Sequence, residues 1–219
     1  MTSVPAHQIA YQALREKILF GELAPGQAVT ILGLTEQLGA GMTPVREAIR
    51  RLTAAGALDF QGNRRVYVPR LSRKSVEELV YARLALEPEL TRQACLHATP
   101  PRIKQLTAID TALDQAMNNG DIAGYLMGNY QFHHTLYDMA DAPILATMAD
   151  GLWLRFGPSL RVVCGRYGTA NLPDNHKLLL TALAAGDADG AATAMEADIK
   201  QGMKQLAETL GESDSIDSV

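Results

Sequence analysis

Gly39-Ala40-Gly41 breaks the chain between two short stretches of helical periodicity, leaving room for no more than a tight turn. Before the break, Leu34 and Leu38 stand four residues apart in a helix expected near 31–38. After it, Val45, Ile49 and Leu52 recur on one face, Thr43 is expected to cap, Pro44 takes the first helical position, and Gly56 supplies the stop. Two helices joined this closely make a helix-turn-helix.

The flanking residues extend the motif. Upstream, Ile9, Ala10, Ala13, Leu14 and Ile18 follow a helical period that ends at Phe20-Gly21, and Pro25-Gly26 marks a tight turn. Downstream, Leu58 and Phe60, then Val66 and Val68, alternate around "QGNRR", the pattern of a β-hairpin with a basic tip. Helix-turn-helix plus hairpin is a winged helix. Its third helix exposes Arg46, Arg50 and Arg51, and its hairpin tip carries Arg64 and Arg65, the two parts such a module offers to DNA.

Charge divides the chain in the same place. The net charge is −4, yet residues 1–74 carry 10 Lys/Arg against 5 Asp/Glu, and residues 75–219 carry 10 against 19. The basic part is expected to meet a polyanion and the acidic part a different partner. "PRLSRK", residues 69–74, reads as a linker. Helical patterns then follow at about 75–98, 100–118, 121–140, 142–165, 174–185 and 187–210. The expected fold is therefore mainly α: a winged helix-turn-helix with a small β-hairpin over 1–70, an all-α antiparallel bundle over 75–210, and a disordered polar tail over 211–219. No uncharged apolar run reaches 18 residues and no signal-peptide core stands at the start, so a cytoplasmic protein without membrane contact is expected. Cys95 and Cys164 have no CxxC partner and are read as buried, reduced thiols.

Three ordered motif groups carry a family resemblance. "GELAPG" (21–26), "TPVREAIRRLTAAGAL" (43–58) and "NRRVYVP" (63–69) resemble the N-terminal winged helix of the GntR superfamily of transcription regulators. "RLALE" (83–87), "NYQFHHTLY" (129–137) and "NHKLLLTALAAGDADGAATAMEADI" (175–199) resemble the C-terminal FCD domain of its FadR subfamily, and the length and six helices resemble its VanR-like branch. The resemblance implies a homodimer that binds double-stranded operator DNA and changes its grip when a small organic acid enters the bundle. It also implies DNA contacts by Thr43 and Arg46. Arg64 and Arg65 join them by position and charge; Arg50 and Arg51 are further candidates that could equally pair on the surface with Glu47, three and four residues before them. Gly41-Met42 stands where the family usually has Ser-Arg, which removes one DNA-directed arginine.

The bundle's own chemistry centres on histidines. Gly186-Asp187 forms a stop and cap, so the helices on either side run antiparallel. His176 and Asp198 lie ten and eleven residues from that turn, each about 15 Å away at ~1.5 Å per residue, and so stand level. With His133 from a third helix they can converge as metal ligands. The resemblance adds Asn129, at a position where the family has Asp, and puts Asp198 where the family has His. The ion expected is divalent, Zn²⁺ or Ni²⁺ before Mn²⁺ or Fe²⁺; the competing reading is a metal-free polar pocket that binds the effector through hydrogen bonds. Arg83 is either an i,i+4 ion pair with Glu87 or, as the resemblance implies, a bidentate grip on an effector carboxylate. Asn129, Tyr130 and Arg155 complete the expected effector set, with Tyr81, Tyr125 and Trp153 as further candidates for its lining.

Two other readings compete. A metal-dependent enzyme would use the His/His/Asp set, but the sequence shows no general base beside it, no nucleophile motif and no phosphate loop. A dimeric adaptor that has lost DNA binding would leave Arg64-Arg65 unexplained. No enzymatic activity is expected.

Overall fold

A computed structural model describes residues 4–61, 65–167 and 174–216, without the side chains of 61, 165–167 and 211–216. Arg64 lies outside the described residues. The chain divides into two compact units, Met1–Leu71 with Trp153–Leu160, and Ser72–Leu152 with Arg161–Val219.

The first unit begins with helix α1 (Ala6–Leu19), whose Ala10, Leu14 and Ile18 recur every four residues and are all buried. Gly21 follows at φ +68°, and a turn closes from Ala24 to Gln27 with Gly26 at φ +81°. A positive φ at the third residue of a turn is the type II signature and favours glycine. Strand β1 (Ala28–Val29) comes next. A two-residue strand carries no period, and the sequence reading missed it. Helix α2 (Ile31–Leu38) is capped by Thr30, whose hydroxyl accepts from the Gly33 N–H at 3.0 Å, and ends at Gly39 in the left-handed region.

Helix α3 (Met42–Ala54) buries Val45, Ala48, Ile49 and Leu52. It starts earlier than expected, because the extended Gly41 (φ −70°, ψ 160°) already turns the chain into the helix without a side-chain cap. Thr43 is thus the second residue of α3, not its cap, and Pro44 the third. Proline is still tolerated there, since the first N–H groups of a helix lack intrahelical partners anyway. Strands β2 (Asp59–Gln61) and β3 (Arg65–Tyr67) pair antiparallel, Phe60 opposite Val66, and β1 adds to the far side of β3 to give the order β1-β3-β2. Leu58, Val66 and Val68 face the core, whereas Phe60 is exposed.

The second unit is built from α4 (Arg73–Leu96), α5 (Pro100–Asn118), α6 (Ile122–Met139), α8 (Asn175–Ala185) and α9 (Ala188–Ile216), with α7 (Pro143–Tyr167) contributing to both units. Polar caps set the starts: Ser72 accepts from the Ser75 N–H, Asp121 from Gly124, Asp174 from Lys177 and Asp187 from Gly190. Helix α4 packs on α9, α9 on α8, α8 on α5, α5 on α6, and α6 back on α4. That cycle closes five helices around a common interior. Helix α9 continues to Ile216, so the segment expected to be a disordered tail from 211 is helical for most of its length. "GESDS" lacks apolar residues but contains no proline to end a helix already nucleated by its packed part. No helix among the described residues is long and apolar enough to cross a membrane.

Candidate functional site

Each of the five ringed helices sends a polar or charged side chain into the interior. On α4, Arg83 and Glu87 lie in the stripe that includes Leu79, Leu90 and Ala94, and both are buried. Two of the Arg83 nitrogens, Nε and Nη2, donate to the two Glu87 oxygens. The i,i+4 ion pair is present, then, but in the core and not on a solvated face. The bidentate grip expected toward an effector is made to Glu87. Behind this pair, the Glu87 Oε2 faces His133 Nδ1 at 3.5 Å.

His133 on α6 is 1% exposed, and its Nε2 lies 3.2 Å from Asp198 Oδ2 on α9. His176 on α8 points its Nε2 at the other oxygen, Asp198 Oδ1, at 3.8 Å. The ligand atoms of His133, His176 and Asp198 all lie within 4.8 Å of one another. His176 Nδ1 meets Asp110 Oδ1 of α5 at 3.2 Å, and Phe132 stacks on its ring at 3.9 Å between centroids and 12° between planes. The tight turn between α8 and α9, with Gly186 at φ +70° and the Asp187 cap, holds His176 and Asp198 level.

Asp110 and the buried placement of Glu87 are the parts that sequence reasoning missed. Their signal was available: Asp110 interrupts the Leu106/Leu113 stripe of α5, as Arg83 and Glu87 interrupt that of α4. An ionisable residue on a buried apolar face needs a partner.

The electrostatics of this interior call for positive charge. Burial opposes ionisation of Glu87 and Asp198, but Arg83 and His133 around the first, and His133, His176 and Arg83 around the second, outweigh it and hold each carboxyl at about 2. Burial likewise opposes the imidazolium of His133, yet Asp198 and Glu87 on its two sides raise its pKa. Glu87 and Asp198 act on the Arg83 guanidinium and Asp110 meets His176, so with both imidazoles neutral three carboxylates stand against one guanidinium, an excess of negative charge that a divalent cation would cancel. With Nδ1 of His176 on Asp110, its buried Nε2 has no hydrogen bond among the described residues and turns toward a carboxylate. One ligand atom from each of the three residues falls within 4.8 Å of the others, against the roughly 3.4 Å edge of a tetrahedron with ~2.1 Å bonds, so small side-chain shifts would close them on an ion. The residues present therefore fit a divalent ion.

The remaining candidates fall elsewhere. Asn129, one turn before His133, is half-buried, and its type suits a weak oxygen ligand or an effector contact. The Tyr130 hydroxyl donates to Asp150 at 2.6 Å. Arg155 is exposed in the first unit, its guanidinium over Gly56. Trp153 is buried in the same unit, and Tyr81 is 79% exposed. Burial raises the Tyr125 phenol well above its ordinary range.

On the first unit, Thr43 and Arg46 are exposed on α3, and Arg46 has no ion pair among the described residues. Arg50 is held by Glu47, with nitrogen–oxygen distances of 2.7 and 2.9 Å. Arg51 lies 3.7 Å over the Tyr11 ring of α1, which ties it to the helix packing. Arg65 is exposed on β3.

Comparison with known proteins matches both units. Residues 6–68 match the family described as bacterial regulatory proteins, gntR family, and residues 78–201 match the FCD domain. The chain is 33% identical over 180 residues, 81% of each sequence, to the HTH-type transcriptional regulator McbR of Escherichia coli. It is 26% identical over 171 residues, 78% of this chain and 75% of the relative, to a probable D-xylose utilization operon transcriptional repressor of Paenarthrobacter nicotinovorans. The solved structure of E. coli McbR/YncC superposes with a TM-score of 0.87 at 29% identity, covering 94% of this chain and 99% of the other.

Proposed function

The chain belongs to the bacterial GntR family and carries an FCD domain, and from that premise we propose that a divalent ion on His133, His176 and Asp198 anchors a regulatory ligand site in its helical bundle. The protein is a DNA-binding transcription regulator and not an enzyme. In this reading it is a repressor that works as a homodimer in the cytoplasm, placing two α3 helices on a palindromic operator. Thr43 and Arg46 contact bases and phosphates, Arg65 and Arg64 of the wing contact phosphates, and Arg50 is available once Glu47 releases it.

A small organic acid is the proposed effector, with Asn129 and Tyr130 at its edge of the bundle. The ion would supply the positive charge that a carboxylate effector needs, since Arg83 already spends its fork on Glu87. Two imidazoles and one carboxylate favour Zn²⁺ or Ni²⁺. Effector binding would change operator affinity by favouring one arrangement of the dimer over another.

The observation that carries the ligand site is the convergence of His133, His176 and Asp198, from three different helices, within 4.8 Å. Native mass spectrometry of protein loaded with Zn²⁺ and desalted tests it. The expected spectrum is a dimer with one ion per chain, and His133→Ala and His176→Ala lower metal content and thermal stability together. Unchanged metal content in both variants contradicts the assignment.

A further inference from the structure

The metal reading leaves Glu87, Asp110 and Arg83 without a task, although all three are buried. We propose that Glu87 and Asp110 are positioning residues for the two ligand histidines, and that Arg83 serves this layer by holding Glu87. The inference rests on the metal reading above and names residues that reading does not use.

Both histidines turn Nδ1 toward a carboxylate, at hydrogen-bond distance for His176 and in a longer ion-pair approach for His133. Nδ1 of His176 meets Asp110 at 3.2 Å and Nδ1 of His133 faces Glu87 at 3.5 Å, while both Nε2 atoms face Asp198. A carboxylate on Nδ1 keeps the proton there, leaves the Nε2 lone pair for a cation, and makes the ring a stronger donor. The two carboxylates come from α4 and α5, so neither follows from local spacing to its histidine.

Each positioning carboxylate is itself constrained. Glu87 Oε2 accepts from Arg83 Nη2 at 2.9 Å and faces His133, so the guanidinium fixes where that oxygen stands. Phe132, stacked on His176, fixes the plane in which its Nδ1 must find Asp110. Without Glu87 or Asp110 the imidazoles could rotate or change tautomer, and a cation would have to reorder them on binding. Ligand-orienting groups of this kind typically account for about 10- to 100-fold in metal affinity.

The test is Zn²⁺ affinity of the full chain, measured by competition with a chromogenic chelator, with the visible spectrum of the Co²⁺-loaded protein as a second readout. Asp110→Asn and Glu87→Gln should each weaken Zn²⁺ binding by roughly 10- to 100-fold and shift the Co²⁺ bands, whereas a merely structural role would leave the bands in place. Because Glu87→Gln strands the Arg83 charge, the paired change Arg83→Met with Glu87→Met keeps an apolar fill and must show the same loss of affinity. Wild-type affinity and an unshifted spectrum in Asp110→Asn and in the paired variant overturn the inference alone. A wild-type chain that binds neither ion overturns the metal reading and this inference with it.

Discussion

Arg83 and Glu87 are each worth keeping only while the other is present, because neither side chain reaches water. Arg83→Met alone strips the buried Glu87 carboxylate of its guanidinium and leaves it only His133 at 3.5 Å, which should destabilise the protein by about 3–5 kcal/mol, whereas the paired change to methionine should cost far less. Denaturant unfolding of the single and paired variants checks this, and equal losses would contradict it. The cysteines behave in the opposite sense. Burial pushes Cys164 up to about 11 and raises Cys95, so both remain thiols near pH 8 and should alkylate slowly until denaturant is added. Mass spectrometry after a timed iodoacetamide pulse reads the difference; rapid labelling of the folded chain would refute it. At this scale the level placement of His176 and Asp198 was legible, because their spacing from the Gly186-Asp187 turn is a matter of helical rise alone, while His133 entered from a separate helix. The pairing of Asp110 with His176 was not, since nothing local relates position 110 to position 176; only the burial of Asp110 was signalled, by its break in the Leu106/Leu113 stripe.

Helices declare themselves through repetition, and most of their limits here follow caps and glycines that can be read directly. The expected 31–38, 100–118 and 174–185 segments match α2, α5 and α8 to within a residue. What escaped was short or depended on partners: β1 exists only because β3 offers it two positions, Ala28 opposite Tyr67 and Val29 opposite Val66. The α8–α9 turn is the element on which the candidate site depends most. Asp187→Ala removes the bond to the Gly190 N–H and should cost about 0.5–2 kcal/mol. It should also weaken Zn²⁺ binding, because His176 and Asp198 lie on either side of that turn. Calorimetry and the chelator titration test the two effects separately; an unaffected melting temperature would remove the cap's assigned role. In the first unit, Leu52 anchors α3 and is fully buried, so Leu52→Ala should destabilise it by about 2–5 kcal/mol and lower operator affinity indirectly.

Across the whole molecule, the excess of Lys/Arg falls in the part of the chain that matches the gntR family. The excess of Lys/Arg before residue 75 makes operator binding steeply dependent on salt, since each neutralised phosphate releases counterions. Among the cationic residues of α3, Glu47 holds Arg50 and Tyr11 carries Arg51, which leaves Arg46 as the exposed arginine without an ion pair among the described residues. Thr43 and Arg46 therefore form the core of the DNA-reading claim. The most direct test is a fluorescence anisotropy titration of a duplex selected from random sequence by the wild-type protein, repeated across a range of salt concentrations with Arg46→Ala. Arg46→Ala should lose about 1–3 kcal/mol of binding, roughly 5- to 150-fold, with a salt slope reduced by about 1 if the contact is to phosphate. An Arg46→Ala protein that binds the duplex as tightly as wild type at every salt concentration would contradict the assignment of α3 as the reading helix.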